Sequence, residues 1–390
     1  MKSIQQIPAP VFLLVIAQGL GMLTAPMVIF VGGFIGVALA PSPAMATLPV
    51  ASVVVGTALA SMPAAFIMQK IGRRQGFVYA TLVAILGSIL AIFSLRHELF
   101  WGVCLSTALL GSHLAFVQQF RFAALEWVGS ELAAMTASII MLGGLFAAWF
   151  GPEIALWGKN LLAVTFSGSF VLLAACHVVL LILLSVIPFA NLVTERQISK
   201  GRSFKNLLST PAIAAAIASS AIAYAVMSLI MTATPVSMSE LQDFQLEQTK
   251  TVLQSHIMAM FIPSLFAPII FKYITTPQLL LMGLVAMVAS ITIAVWDQSY
   301  WGYWSALALL GVGWNFMFVG GTSLLAQNYK SEERFKVQGI NELMVFGTQA
   351  VASLAAGTIV FNYGWLALNL LALPLLLLAL IMIMRWYLKS

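Results

Sequence analysis

Apolar windows of about twenty residues recur from one end of this chain to the other, and no water-soluble architecture can bury them all. A hydrocarbon layer about 30 Å thick is crossed by roughly 20 helical residues, each advancing about 1.5 Å. Twelve such windows are legible, at 11–39, 48–69, 77–95, 99–127, 132–158, 161–188, 211–235, 249–271, 278–296, 300–326, 337–361 and 365–385. They are continuous, whereas a transmembrane barrel would show strands of about ten alternating residues. With 61% hydrophobic and 8% charged residues, the chain has too few polar groups to solvate the outside of a globular domain. The fold class is therefore an all-α membrane protein with twelve transmembrane helices.

The scarce cations fix an orientation. An even number of spans puts both termini on one side, and that side collects Lys2, Lys70, Arg73, Arg74, Arg196, Lys200, Arg202, Lys205, Lys272, Lys330, Arg334, Lys336, Arg385 and Lys389. The other side has Arg96, Lys159 and Lys250. By the positive-inside rule the first side is cytoplasmic, with both termini in the cytoplasm of a multi-pass protein of the inner membrane. The pI near 9.4 then reports topology and contact with anionic membrane lipid, and nucleic acid has no place in the account. Ala44-Met45-Ala46 resembles a signal-peptidase site, but the apolar run before it is about twice the length of a signal peptide's. Cys104 and Cys176 both fall inside spans and read as packing residues.

The longest polar interval divides six windows from six. It gives an N-terminal bundle at 1–190, a cytoplasmic linker at 191–210 and a C-terminal bundle at 211–390. Internal repetition favours the same cut. Trp101-Gly102 and Ala108-Leu109-Leu110-Gly111 return two hundred residues later as Trp301-Gly302 and Ala308-Leu309-Leu310-Gly311, and Phe116 returns as Phe316. A common offset lays span 4 on span 10, as two parallel six-helix repeats require.

Between spans 2 and 3 lies the basic turn Gln69-Lys70-Ile71-Gly72-Arg73-Arg74, with Ala65 four residues before it. This turn resembles the signature loop of the major facilitator superfamily, Gly-x-x-x-Asp-Arg/Lys-x-Gly-Arg/Lys-Arg/Lys, departing at Ala65 for Gly and Gln69 for Asp. The resemblance covers nearly the whole chain and implies two pseudo-symmetric six-helix bundles, with spans 1, 4, 7 and 10 lining a central cavity that opens alternately to either face. On that expectation Gln18, Thr24, His113, Arg121, Tyr224, Trp314 and Asn315 become cavity candidates. In the family, a carboxylate at the inner end of span 4, here Glu126, joins the basic turn, and the loop's Asp meets the start of span 11. With Gln69 in that place, a contact to Gln338, Asn341 or Glu342 becomes a neutral or charge-assisted hydrogen bond, and the inside lock is weaker unless Glu342 supplies the missing charge.

Arg121 is the costliest residue in the sequence, since an Arg at the centre of a membrane helix costs about 2.5 to 3.5 kcal/mol. Two readings stay open: an anion-binding or gating group in the cavity, or a structural Arg paired with carbonyls or an acid. Glu153 follows Gly151-Pro152 in span 5, a stretch similar to the Gly-Pro motif of the family's antiporters but without its terminal glycines. A buried carboxyl can carry protons, as can a histidine in a span, so Glu153, His113 and Glu342 are the proton-coupling candidates. For His177 and His256 the expected state is a neutral ring bonded to a helix carbonyl. Tyr224, Trp314, Phe116 and Phe316 present planes on which a flat solute can stack, with Trp314 the one worth testing. Trp101, Trp157, Trp296, Trp301, Trp304, Trp365 and Trp386 lie near span ends and read as interfacial belt residues. Ser331-Glu332-Glu333-Arg334 reads as a charged inner turn.

No Gly-x-x-x-x-Gly-Lys-Ser/Thr loop occurs, so energy comes from a gradient or from the solute. The expected function is secondary transport of a small organic solute by alternating access, coupled to protons, with no cofactor or metal and the monomer as functional unit. Efflux is slightly favoured by the span 5 motif. Proton-coupled import of a vitamin or other nutrient stands beside it, and a transport-like receptor or scaffold is the alternative of another class. The histidines sit in different spans without metal-ligand spacing, which argues against a membrane-embedded enzyme.

Overall fold

The computed structural model describes residues 7–125, 127–128, 130–189, 202–330 and 333–388. Among these residues the regular structure is entirely helical. The helices are α1 (Ala9–Met22), α2 (Thr24–Leu39), α3 (Leu48–Ile71), α4 (Arg73–Arg96), α5 (Phe100–Val117), α6 (Phe120–Leu125), α7 (Ser130–Gly158), α8 (Ser167–Val186), α9 (Phe204–Leu208), α10 (Pro211–Val236), α11 (Leu246–Leu265), α12 (Ala267–Tyr273), α13 (Thr276–Trp296), α14 (Tyr300–Ala326), α15 (Arg334–Leu370) and α16 (Leu373–Tyr387). Nine helical stretches of the described residues are long and apolar enough to cross a membrane. The chain falls into two compact units, Met1–Thr194 and Glu195–Ser390.

Helix α4 shows why these sequences fold as membrane spans rather than as soluble helices. Its outward stripe is Leu82, Leu86, Ile89 and Phe93, all exposed, while its inward face is Ala80, Thr81, Ala84, Gly87, Ser88, Ala91 and Ser94. Large apolar groups stabilise the helix in lipid by a few tenths of a kcal/mol each, and small groups let neighbouring backbones approach. Two of the inward hydroxyls are satisfied within the helix, Thr81 donating to the Phe77 carbonyl at 2.8 Å and Ser88 to that of Ala84 at 3.0 Å.

In the first unit α3 lies along α5, α4 packs on α5 and α8, and α1 packs on α7. Contact between α3 and α5 is so close that a Cβ on Gly56 would come within 2.0 Å of the Ala108 carbonyl oxygen, and one on Gly111 within 2.0 Å of that of Val53. In the second unit α13 lies on α14, α11 on α14, and α10 against both α14 and α15. The repeat seen in the sequence carries over to the packing: residues 111–120 and 311–320 show the same order of buried and half-buried positions.

Several windows are interrupted where the sequence suggested continuity. Span 1 loses one helical hydrogen bond at Leu23, between α1 and α2, where Pro26 cannot donate to the Met22 carbonyl, although Leu23 itself keeps helical dihedrals at φ −54°, ψ −32°. Span 4 breaks at Gln118–Gln119, between α5 and α6, just before Arg121. Span 8 restarts at Ala267, with Pro268 in the first turn of α12, where a missing N–H costs nothing. The expected span 6 begins at Ser167, not 161, because Phe166 takes φ 65° and its N–H closes the turn onto the Lys159 carbonyl at 2.9 Å. Trp365 departs from the belt reading: it is buried, packs at 5.0 Å on Tyr303 and donates from Nε1 to the Ala294 carbonyl.

Two turns rest on glycine. Gly72 joins α3 to α4 at φ 86°, ψ 159°, and Gly364 interrupts α15 at φ 80°, ψ 175°. That region is closed to side chains with a Cβ. The stretch Lys336–Tyr387 holds 52 residues. As one straight helix it would run about 78 Å, far more than a single crossing, and Gly364 is where it turns.

Candidate functional site

Three helices of the first unit converge on a buried polar group. Thr24 begins α2 just after the Leu23 break, His113 lies late in α5, and His177 sits mid-way along α8. All three are at most 1% exposed. Thr24 Oγ1 and His177 Nε2 share a hydrogen bond of 3.2 Å, and the imidazoles of His113 and His177 meet edge to face with centroids 4.9 Å apart. Both ring nitrogens of His113, and Nδ1 of His177, have no hydrogen-bond partner. The expected carbonyl bond is made by His256, whose Nδ1 is 2.7 Å from the Leu307 oxygen. His177 pairs with a hydroxyl and an imidazole instead. Spacing along the chain could not reveal this, because 64 residues separate the two histidines.

In the second unit Tyr224 of α10 is the hub of an aromatic group. Its ring is 5.0 Å from Trp314, 5.2 Å from Phe318 and 6.0 Å from Phe346, each edge on, while Trp314 and Phe318 stack at 5.1 Å with planes 15° apart. Trp314 is 4% exposed and its Nε1 has no hydrogen-bond partner. Tyr224 and Trp314 were both candidates from sequence. Phe318 and Phe346 were not, although the four-residue step from Trp314 to Phe318 put them on one helix face. Phe316 faces elsewhere, into an apolar groove of about 780 Å³ that Tyr273, Met282 and Val285 also line. Asn315 also turns from the aromatic group, its Nδ2 donating to the Met260 carbonyl at 2.7 Å and to Ser264 Oγ at 2.5 Å, which ties α14 to α11.

The remaining candidates are dispersed. Gln18 in α1 donates from Nε2 to the Met22 sulfur, and its buried Oε1 has no partner. Arg121 in α6 holds its guanidinium carbon 4.7 Å from the centroid of the Phe122 ring. Glu153 is half-buried in α7, one residue after Pro152, and Glu342 is half-buried in α15. In the basic turn Gln69 and Lys70 are exposed, Gly72 caps α3, and Arg73 is half-buried. Arg74 donates from Nη2 to the Ser185 carbonyl near the C-terminus of α8, where the helix dipole favours a cation. Glu126 lies outside the described residues. Gln338 donates to Tyr329 Oη at 3.2 Å, and the buried Asn341 Oδ1 has no partner.

The expected charged inner turn contains a buried ion pair that sequence reading missed. Glu333 is 1% exposed, and its carboxylate receives the Arg202 backbone N–H, Arg202 Nε and Nη2, and the Lys330 N–H. Arg202 Nη2 also reaches the Asn328 carbonyl, Nη1 reaches Thr210 Oγ1, and Lys336 Nζ caps the Arg202 carbonyl. Hydrogen bonds from Arg202 hold the Glu333 carboxyl well below the usual carboxylate range and raise the guanidinium in turn.

Apolar helices with lipid-like outer faces, polar side chains gathered inside each unit and a basic turn between the second and third helical stretches define a polytopic membrane protein. The family model described as Major Facilitator Superfamily matches residues 11–334. This chain belongs to that superfamily. It is 33% identical over 374 residues to the riboflavin transporter RfnT of Brucella anthropi, covering 95% of this chain and 94% of that one. It is 27% identical over 379 residues to the uncharacterized MFS-type transporter YdeG of Bacillus subtilis, covering 91% and 86%. Among solved structures, the POT family transporter PepTSo superposes with a TM-score of 0.78 at 10% identity, covering 98% of this chain and 99% of that one, a likeness of fold alone. Family and relatives point to a transporter of a small-molecule solute and not to an enzyme.

Proposed function

We propose that this protein is a secondary transporter that imports riboflavin, or a solute sharing its flat heteroaromatic ring, by alternating access driven by protons. The observation that carries this reading is the aromatic group of Tyr224, Trp314, Phe318 and Phe346, taken together with 33% identity to a riboflavin transporter over 374 residues. A tricyclic ring gains about 0.5 to 1.5 kcal/mol from each well-placed aromatic neighbour, and the unpartnered Nε1 of Trp314 supplies a donor for a ring carbonyl. This reading replaces efflux, which leaned on a span 5 motif without its terminal glycines. The remaining expectations travel with the proposal: six-helix bundles at 1–190 and 211–390 joined by 191–210, cytoplasmic termini in the inner membrane, and a monomeric working unit.

The test is growth and flux. A bacterial strain unable to make riboflavin and lacking its own uptake system should grow at low external riboflavin when this chain is expressed. Radiolabelled riboflavin should accumulate and be lost on adding a protonophore. Labelled riboflavin driven outward, or growth no better than with empty vector, would sink the import reading.

A further inference from the structure

We propose that His113 and His177 form a single proton-binding site in the first unit, with Thr24 linking the site to the break in span 1. This deepens the proton-coupled reading and rests on it for the site's use, though not for its existence. Two imidazoles in contact at 4.9 Å, both fully buried, leave three of their four ring nitrogens without a partner, and the fourth is bonded to Thr24 Oγ1. A packing role calls for apolar rings, and a structural polar role is met by at least one firm bond, as His256 makes at 2.7 Å from the Leu307 carbonyl although its own Nε2 has no partner; His113 makes no such bond at either nitrogen. Unsatisfied imidazoles stay in a membrane interior where they are used.

The surroundings set the stoichiometry. No titratable side chain occurs in α1 or α2. The others on the packed elements are Lys70 at the end of α3; Arg73, Arg74, Tyr79 and Arg96 toward the ends of α4; Cys104 in α5; Arg121 in α6; Glu131 and Glu153 in α7; and Cys176 in α8. A second positive charge 4.9 Å from the first would be opposed by it at close range. The site therefore takes one proton, carried by one imidazole as imidazolium while the other remains a neutral acceptor. Thr24 is the first residue after Leu23, so a change in the charge or tautomer of His177 acts directly on the junction of α1 and α2.

The test reads the site without solute and then with it. Histidine ¹⁵N spectra of the full chain in nanodiscs, titrated from about pH 8 down to about pH 4, should show the signals of His113 and His177 shifting together in one step that takes up one proton. His113→Gln should leave His177 titrating alone at a displaced midpoint, and Thr24→Val should displace the wild-type step. In liposomes His177→Gln should lose at least ninety per cent of gradient-driven accumulation, a loss far larger than its loss of solute exchange at equal pH. Rings that stay neutral across the whole range, or that titrate independently, overturn the site. A joint titration with gradient-insensitive transport in the wild type leaves the site standing and overturns proton coupling instead.

Discussion

Arg202 grips Glu333 side on, with Nε 2.8 Å from Oε1 and Nη2 2.7 Å from Oε2, and the same carboxylate receives two backbone N–H groups. The pair pins the residues leading into α9 to the turn before α15, joining segments 131 residues apart in the chain. Such a carboxylate satisfies nearly all of its acceptor positions, which is the condition under which a buried ion pair stabilises rather than costs.

Acid should weaken this clamp. Because the folded pKa of Glu333 lies below its unfolded value near 4.3, its contribution is complete above that value and is lost as pH falls through the folded pKa. Unfolding of detergent-solubilised protein followed from about pH 7 to about pH 3 should show a fall in apparent Tm below about pH 4.5. Glu333→Gln should remove that part of the slope and lower stability at neutral pH by about 1 to 2 kcal/mol, a figure reduced because Arg202 is one-third exposed. An unchanged acid slope in Glu333→Gln would assign it to other groups.

Gly72 and Gly364 allow backbone strain to be separated from steric clash. No atom lies within 4 Å of a Cβ built at either position, so Ala in either place is strained only through its positive φ. Gly72→Ala and Gly364→Ala should each cost about 1 to 3 kcal/mol, seen as lower apparent Tm, with the fold and the helical signal retained. No loss at Gly72 would show that the turn between α3 and α4 can take another conformation.

How much of this was legible in the sequence follows from the physics of each signal. The helical spans and the basic turn at Gly72 could be read directly, because hydrocarbon thickness sets a run length and a glycine turn is encoded in adjacent residues. The breaks at Leu23 and Gln118–Gln119 were not, since a proline or a glutamine pair inside an apolar run only permits an interruption and packing decides it. Tyr224 and Trp314 were named together through the family's cavity rule, and the structure brings their rings to 5.0 Å. The His113–His177 contact and the Arg202–Glu333 clamp were not, because each joins segments far apart in the chain and no local pattern encodes the pairing.

Arg121 should prove sensitive to shape as well as charge. It follows the break between α5 and α6 and lies on the Phe122 ring at 4.7 Å. Lysine keeps the charge but loses the planar face and the fork. Arg121→Ala should lower initial transport rates at least tenfold with normal membrane insertion, and Arg121→Lys should restore only a minor part. Full activity in the Lys variant would mean that charge alone is used there.

The aromatic group offers the sharpest comparison, since it separates two neighbours on one helix. Trp314 and Phe318 stack on each other and meet Tyr224, whereas Phe316 lines a groove with Tyr273, Met282 and Val285. Loss of one well-placed ring costs about 0.5 to 1.5 kcal/mol, so Trp314→Ala and Phe318→Ala should each weaken riboflavin binding about three- to tenfold in fluorescence-quenching titrations. Phe316→Ala, equal in size of deletion, should leave binding within about twofold. Trp314→Phe divides the tryptophan's contribution further, because it keeps a ring for stacking and removes the unpartnered Nε1 donor. A loss in Trp314→Phe matching that in Trp314→Ala assigns the effect to the hydrogen bond, since the ring is then spectator to it. Binding that survives in Trp314→Phe and fails in Trp314→Ala assigns it to stacking, and equal loss in Phe316→Ala would remove the aromatic group from the solute's path.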